Sequence, residues 1–367
     1  MTGVSIHDPA AMQALARASG ITPQALRQLR NAFLKNGLAP EAALALLPAA
    51  GRTAIADSAR FHTLALAERR DSARDGASKL LFAADDGQRI ESVLLRIQSG
   101  RTSLCVSTQA GCAGGCRFCA TGALGLARDL TADEILDQVA WANQLLHPEG
   151  RLVRNVVFMG MGEPFHNEAR VTEALCRLMA PDGFHLSDRK LTVSTLGVPE
   201  AMCRFARRFP RVRLAVSLHS ARQELRETLM PLARRHPLPE LRAAMAEVAA
   251  LQQQPVMVEY LLLAGVNDRP EDLAALQTFL DGLPVHLNFI PYNPAEAAPG
   301  FHPTPEPQRR AIAAALRAAG FTVTLRRSLG TDIAAACGQL AGTGDRPVAP
   351  TVIFPLLPRP HNLPDPP

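Results

Sequence analysis

A chain of 367 residues, 47% hydrophobic and 20% charged, can bury a sizeable core, and its length predicts two or three structural units. The composition excludes a disordered chain, no apolar run reaches the roughly 18 residues of a membrane span, and a formal net charge of +5 only slightly favours a nucleic-acid partner. Seven cysteines, with no basic and apolar leader after Met1, predict a cytoplasmic protein that uses thiols for metal binding or catalysis rather than in a disulfide framework.

Residues 1 to about 60 read as helical, with Pro9–Ala18, Pro23–Lys35 and Pro40–Leu47 each starting on a proline suited to a first helical turn. From Lys79 to Arg96, two alternating apolar runs flank Asp86-Gly87, the signal of a β-hairpin, with Glu91 on the second strand. Beyond Thr102 strands and helices alternate. Strands are expected at Ser103–Ser107, Asn155–Met159, Leu191–Thr195, Arg213–Leu218, Val256–Leu263 and Val285–Ile290. Helices are expected at Ala132–Leu146, Val171–Met179, Glu200–Arg208, Leu238–Leu251 and Glu271–Leu280. This pattern predicts an α/β fold with a parallel sheet, either doubly wound or curled into a partial barrel, with ligands at the carboxyl ends of the strands. A further strand, Phe321–Leu325, precedes a glycine-containing stretch around Cys337, and the tail from Pro347 to Pro367 reads as irregular.

Cys112, Cys116 and Cys119 follow the first of these strands, three thiols in eight residues with glycines between them. Such a trio is a soft ligand set suited to iron–sulfur or zinc. With no fourth cysteine nearby, a cluster held here keeps one metal open to an outside molecule, as catalytic sites do; a structural zinc knob lacking its fourth ligand is the bland alternative. Other strand ends carry small polar groups: Gly160-Met161-Gly162-Glu163-Pro164, Ser194-Thr195-Leu196-Gly197, Ser217-Leu218-His219-Ser220 and Ile290-Pro291-Tyr292-Asn293. Each is unremarkable alone. Their shared position predicts one convergent lining for a polar cofactor, with the carboxylate at Glu163 able to accept from an ammonium group. Cys176 and Cys203 fall in helical patterns and read as small apolar core residues.

With these residues in place, C-x-x-x-C-x-x-C resembles the signature of radical S-adenosylmethionine enzymes. Taken with Cys105–Cys112, Gly160–Pro164, Leu191–Gly197, Ser217–Ser220, Glu259-Tyr260, Ile290–Asn293 and Asp332–Leu340, the chain resembles the RlmN/Cfr family of radical S-adenosylmethionine RNA methyltransferases. The resemblance covers about Glu91 to Gly342, roughly two-thirds of the chain. It implies a partial (β/α)6 barrel carrying the cluster, with a small helical N-terminal accessory domain and a C-terminal extension. The expected units are a helical domain at 1–75, a β-hairpin linker at 76–100, the barrel at 101–300, an extension at 301–345 carrying the cysteine loop, and a Pro-rich tail at 346–367. The resemblance further implies that Cys112, Cys116 and Cys119 hold a 4Fe-4S cluster, and that Gly162, Glu163, Ser194, Ser217, Leu218, His219 and Asn293 line the S-adenosylmethionine pocket. Cys337 would carry the methyl group, Cys105 would resolve it through a transient disulfide, and Glu91 would be the base. Two S-adenosylmethionine molecules would be consumed per methylation: one methylates Cys337, and reductive cleavage of the other generates the radical that activates that methyl group toward adenine.

The implied partners are ribosomal or transfer RNA and an electron donor such as flavodoxin or ferredoxin, with no membrane and a monomeric chain. Arg326 and Arg327 are candidate phosphate contacts, whereas Arg204, Arg207, Arg208 and Arg211 read as an exposed helix face. Residues Phe118–Gly122 and Leu229–Leu232 match both branches of the family, and Pro164 favours adenine carbon 2 over carbon 8. Two rivals are a radical enzyme acting on another substrate, which would not need Cys105 and Cys337, and a zinc-bearing RNA-binding module. The N-terminal residues lack the family's tryptophan-containing helical pattern, since Trp141 is the one tryptophan.

Overall fold

The computed structural model describes residues 3–97, 99–295 and 300–342; the tail at 346–367 lies outside them. Strand β1 (Val4–Ser5) leads into helices α1 (Pro9–Ala18), α2 (Pro23–Arg30), α3 (Pro40–Leu44) and α4 (Ala49–Ser58). The first three start on the expected prolines, and Asp8 and Thr22 cap α1 and α2 by accepting from backbone N–H groups of the first turn. Residues Asn31–Lys35 prolong α2 as a π-turn. Strand β2 (Ala59–Arg60) then pairs in parallel with β1.

The stretch expected to be helical to residue 75 is helical only to Ser58. Residues Leu64–Asp71 form strand β3, antiparallel to β4 (Ala77–Ala84). Its outer half, Glu68-Arg69-Arg70-Asp71, is charged because it forms the sheet's edge, where charge discourages pairing with another chain. The expected hairpin is present as β4 and β5 (Arg89–Arg96), turning at Gly87 with φ +79°. It is not a linker, since β5 pairs antiparallel with β6 (Thr102–Cys105) and so belongs to the main sheet.

After β6, the short antiparallel pair β7 (Gln109–Gly111) and β8 (Leu126–Asp129) encloses the cysteine loop and α5 (Ala120–Leu124). Strands and helices then alternate: α6 (Ala132–Leu146), β9 (Asn155–Phe158), α7 (Glu168–Met179), β10 (Leu191–Thr195), α8 (Pro199–Arg208), β11 (Arg213–Ser217), α9 (Gln223–Leu229), α10 (Leu238–Gln252), β12 (Val256–Leu262), α11 (Pro270–Leu280), β13 (Val285–Pro291), α12 (Glu306–Ala318) and β14 (Thr322–Leu325). Among the described residues the main sheet has the order β14-β13-β12-β11-β10-β9-β6-β5-β4-β3, parallel from β14 to β6 and antiparallel from there to β3. The strand order never reverses, as it must in a doubly wound sheet. Right-handed crossovers in one direction therefore place the covering helices on a single face.

That face is apolar: Leu104, Val156, Phe158, Leu191, Val193, Leu214, Val216, Val258, Tyr260, Leu287 and Phe289 are buried in the main core. The opposite face follows from register, because paired residues point to the same side. Val93 pairs with Cys105, Cys105 with Val157, Ser194 with Ala215, Ser217 with Glu259, and Glu259 with Asn288. Alternation along each strand then sets Glu91, Cys105, Ser194, Ser217, Glu259 and Asn288 on one polar face.

The segment that follows the N-terminal helices is tied to α6 through Asp137, which is fully buried. Its Oδ2 accepts from the backbone N–H groups of Thr63 and Leu64 at 2.8 Å each, and its Oδ1 lies 2.7 Å from His62 Nδ1. Trp141 stacks on His62 and donates to the Leu64 carbonyl. Of the two cysteines expected in the core, Cys176 is exposed, whereas Cys203 is half-buried and packs against the core's edge. Both lie toward the flanks of α7 and α8, beside Arg208 and Glu247 respectively, since an amphipathic helix buries only one stripe.

A cysteine-lined candidate active site

The strand ends that carry the expected residues lie at the same edge of the sheet. Cys112 is held by its backbone N–H, which donates to Gly125 at 2.8 Å, and its Sγ accepts from Gly114 N at 3.3 Å. A Cβ added at Gly114 would stand 3.3 Å from Cys112 Sγ and 3.8 Å from Cys116 Sγ, so the two sulfurs flank one point, and Cys119 acts electrostatically on both. Gly122 is tightly constrained, since a Cβ there would meet Cys116 N and O at 2.8 Å. Burial, with help from the neighbouring thiols, pushes Cys116 well above the ordinary thiol range and Cys112 up to about 12. All three cysteines are free. Among the described residues no three ligating side chains converge on a single ion.

Glu163 stands next to this loop, 1% exposed. Its backbone N–H donates to Gln109 Oε1, its Oε1 accepts from Phe165 N, and its Oε2 accepts from Leu196 N at 2.6 Å. Burial outweighs those bonds and pushes the carboxyl up to about 7. Gly162 has φ +105°, and a Cβ there would collide with Gln109 Cβ at 2.7 Å, so the close turn requires glycine. Ser194 and Ser217 are half-buried at the ends of β10 and β11. Leu218 is buried, and His219 adopts φ +55° with its carbonyl accepting from Asn267 Nδ2 at 2.7 Å. Because His219 Nδ1 accepts from Leu261 N at 3.0 Å, its ring proton resides on Nε2. Burial first, then Arg226, drives this imidazole down to about 3, so it is neutral, and its ring meets Phe118 edge-on at 4.8 Å.

Cys337 reaches the same edge from the other end of the chain. Its carbonyl accepts from Asn293 Nδ2 at 3.2 Å, the Gly338 carbonyl accepts from Ala120 N at 2.8 Å, and the Leu340 carbonyl accepts from Thr121 Oγ1 at 2.6 Å. The last two bonds seat the loop directly behind Cys119. Cys337 is exposed to solvent, yet desolvation by the protein around its thiol pushes it up to about 12, with Cys119, Cys105 and Glu259 acting in the same direction and Arg326 against them. Cys105, half-buried on β6, is likewise pushed up to about 12.

Glu91 lies at the far end of the same loop rather than at Cys337. Its carboxylate accepts from Ala341 N at 2.9 Å and pairs with Lys79 at 3.2 Å, and Lys79 reaches the Ala334 carbonyl at 3.4 Å. The loop is also clipped to the β3–β4 turn, where Asp332 accepts from Ser72 and from Ala73 N and Asp75 accepts from Gly330 N. Of the arginines, Arg326 and Arg327 are exposed beside this loop, whereas Arg204, Arg207 and Arg211 are paired with Glu168, Glu247 and Asp188 on the surface.

Sequence reasoning missed three contributors. Lys79 and the Glu259–Asn288 pair, in which Asn288 Nδ2 sits 2.9 Å from both carboxylate oxygens, announce themselves only by charge or amide in otherwise apolar strands. Arg226 lies on α9, which was not predicted, and its signal was an arginine set among Leu225, Leu229 and Met230.

Comparison with known proteins matches residues 106–276 to the Radical SAM superfamily. The chain is 49% identical over 329 residues to a "Probable RNA methyltransferase" of Rhodopirellula baltica, covering 90% of this chain and 85% of the relative. It is 39% identical over 347 residues to the "Dual-specificity RNA methyltransferase RlmN" of Sorangium cellulosum, covering 85% and 88%. A crystal structure of a radical SAM methyltransferase from Sphaerobacter thermophilus superposes with a TM-score of 0.86 at 38% identity, covering 93% of this chain and all of the other.

Proposed function

We propose, from the premise that the chain belongs to the radical SAM RNA methyltransferases of the RlmN type, that it methylates a ring carbon of adenine in ribosomal or transfer RNA, with Cys337 carrying the methyl group. The observation that carries this reading is the seating of Cys337: an exposed thiol on the C-terminal loop, which Gly338 and Leu340 fasten to the residues that follow Cys119, within electrostatic reach of Cys105. A radical enzyme with another type of reaction has no use for that second pair of thiols. The sequential strand order, with a polar face opposite the helices, supports a partial barrel whose interior is that face, and the N-terminal helices read as an accessory domain on its flank.

In this reading Cys112, Cys116 and Cys119 hold a 4Fe-4S cluster, and Gly162, Glu163, Ser194, Ser217, Leu218, His219 and Asn293 surround S-adenosylmethionine. When bound, these groups supply the methyl donor and the one-electron chemistry that an electron-poor adenine carbon demands. The protein's part is to bind, orient and move protons. Glu163, buried with two backbone donors on its carboxylate, orients an ammonium group. His219, neutral with its proton on Nε2, offers a donor without adding charge. Cys337, whose thiol is pushed up to about 12, must lose its proton to become a nucleophile. Cys105, on the shared polar face, would then bond to the sulfur of Cys337 as the bond from that sulfur to the adenine-borne carbon breaks, leaving a Cys105–Cys337 disulfide; the freed carbon takes up a proton to become the methyl group, and the surplus electron returns to the one-electron carrier. Glu91, whose carboxylate is fixed by Lys79 and Ala341, takes the ring proton once RNA and loop have come together. Carbon 2 is the favoured position on the strength of Pro164.

Nucleoside mass spectrometry of ribosomal and transfer RNA from cells with and without the gene tests the reading. Loss of 2-methyladenosine is expected; loss of 8-methyladenosine instead moves the reaction to carbon 8, and no change in either overturns it.

A further inference from the structure

We infer that Arg226 is a positioning residue for the cysteine cluster, a buried cation that pins two strand ends with two of its nitrogens and offers the third to the metal group held at Cys116. Arg226 is 0% exposed. Its Nε donates to the Leu218 carbonyl at 3.3 Å and its Nη2 to the Leu196 carbonyl at 2.6 Å, so one guanidinium joins the ends of β11 and β10. These are the residues beside Ser217, His219 and Ser194, and Leu196 N is itself a donor to Glu163. Nη1 is buried and has no hydrogen-bond partner among the described residues. A buried donor left unsatisfied costs about 1–3 kcal/mol, and more on a charged group, so an orphan here points to an absent acceptor.

The direction of that acceptor follows from the surroundings. The helix that carries Arg226 is fastened to the cysteine loop, since Arg117 N donates to the Leu229 carbonyl at 2.9 Å and Met230 packs with Cys116 and Phe118. The inference rests on the reading that the three cysteines hold an iron–sulfur cluster. A cluster on three thiolates is an anion in a dry site, and a fixed neighbouring cation stabilises the form with the extra electron more than the form without it.

The test uses the full chain and its Arg226→Gln and Arg226→Lys variants, each reconstituted anaerobically with iron and sulfide. Iron and sulfide content, the cluster midpoint potential from an EPR-monitored redox titration, and the S-adenosylmethionine Kd are measured. Arg226→Gln is expected to load its cluster with a midpoint more negative than the parent's. Arg226→Lys is expected to keep the parent's midpoint, and both variants bind S-adenosylmethionine severalfold more weakly because the fork between the two carbonyls is lost. A fully loaded Arg226→Gln variant with the parent's midpoint overturns the inference. Where Arg226→Gln does not load, Arg226→Lys decides: loading at the parent's midpoint upholds the role of the charge, and failure to load or a shifted midpoint overturns it. A parent chain that binds no iron overturns the cluster reading and this inference with it.

Discussion

Burial decides how the single side chains of this site behave. Glu163 is pushed up to about 7 because water is excluded, and an ammonium group binding beside it favours the ionised form. Below about pH 7 that carboxyl must first release a proton, so S-adenosylmethionine affinity is expected to rise with pH up to about 7 and level off above, by roughly tenfold per unit on the rising limb. Isothermal titration across pH 5.5–8 checks this, and Glu163→Gln should bind weakly with a flat profile. Cys337→Ala is expected to load iron as the parent does while methyl transfer to RNA falls to background; unchanged transfer removes the methyl-cysteine route. That Cys112, Cys116 and Cys119 share one loop was legible in the sequence because three thiols within eight residues can hardly be separated. Arg226 was not, because its meaning depends on where the carbonyls of Leu196 and Leu218 come to lie, and Lys79 was not, because its partners Glu91 and Ala334 are fixed by pairing and packing.

At the scale of elements, one carboxylate fastens the segment between the N-terminal helices and β3 to α6. Burial alone would raise Asp137, but the adjoining His62 and His7 outweigh it and hold it down at about 2, below the ordinary 3.8. A carboxyl with a depressed folded value stabilises the fold above its unfolded value, and that stability, roughly 2 kcal/mol, is lost as pH falls from about 4 through 2. Asp137→Ala leaves the buried N–H groups of Thr63 and Leu64 without their acceptor, so a loss of about 3–5 kcal/mol is expected. Thermal melts and limited proteolysis before residue 64 would detect it; an unchanged melting temperature excludes Asp137 as the fastening. The strands and helices of the α/β region follow the predicted pattern because each apolar run faces covering helices. Strand β3 escaped notice because half of it is a charged edge with no core to face, and α9 because its seven residues, shorter than two full turns, interleave buried and charged side chains.

For the whole molecule, a net charge of +5 is too small to make binding of RNA a property of the entire surface, so the contacts must be local. Arg326 and Arg327, exposed beside the Cys337 loop, are the expected phosphate contacts. Replacing both with alanine should weaken RNA binding and lower the slope of log K against log salt by about one to one and a half, at about 0.7 per single-strand phosphate. An unchanged slope in a filter-binding series places the phosphates elsewhere. The clip between the β3–β4 turn and the Cys337 loop also sets a timetable for the molecule's own assembly. Ser72 and Asp332 are 260 residues apart and Glu91 and Ala341 are 250 apart, so these bonds close loops of most of the chain, and the entropy of closure is repaid only after the sheet between them has formed. The loop of Cys112, Cys116 and Cys119, which spans eight residues, can form early and the Cys337 loop closes last. On the proposed reading, a chain still being built brings its three clustered thiols together before it can present Cys337, so carrying a methyl group is the last capacity the fold acquires.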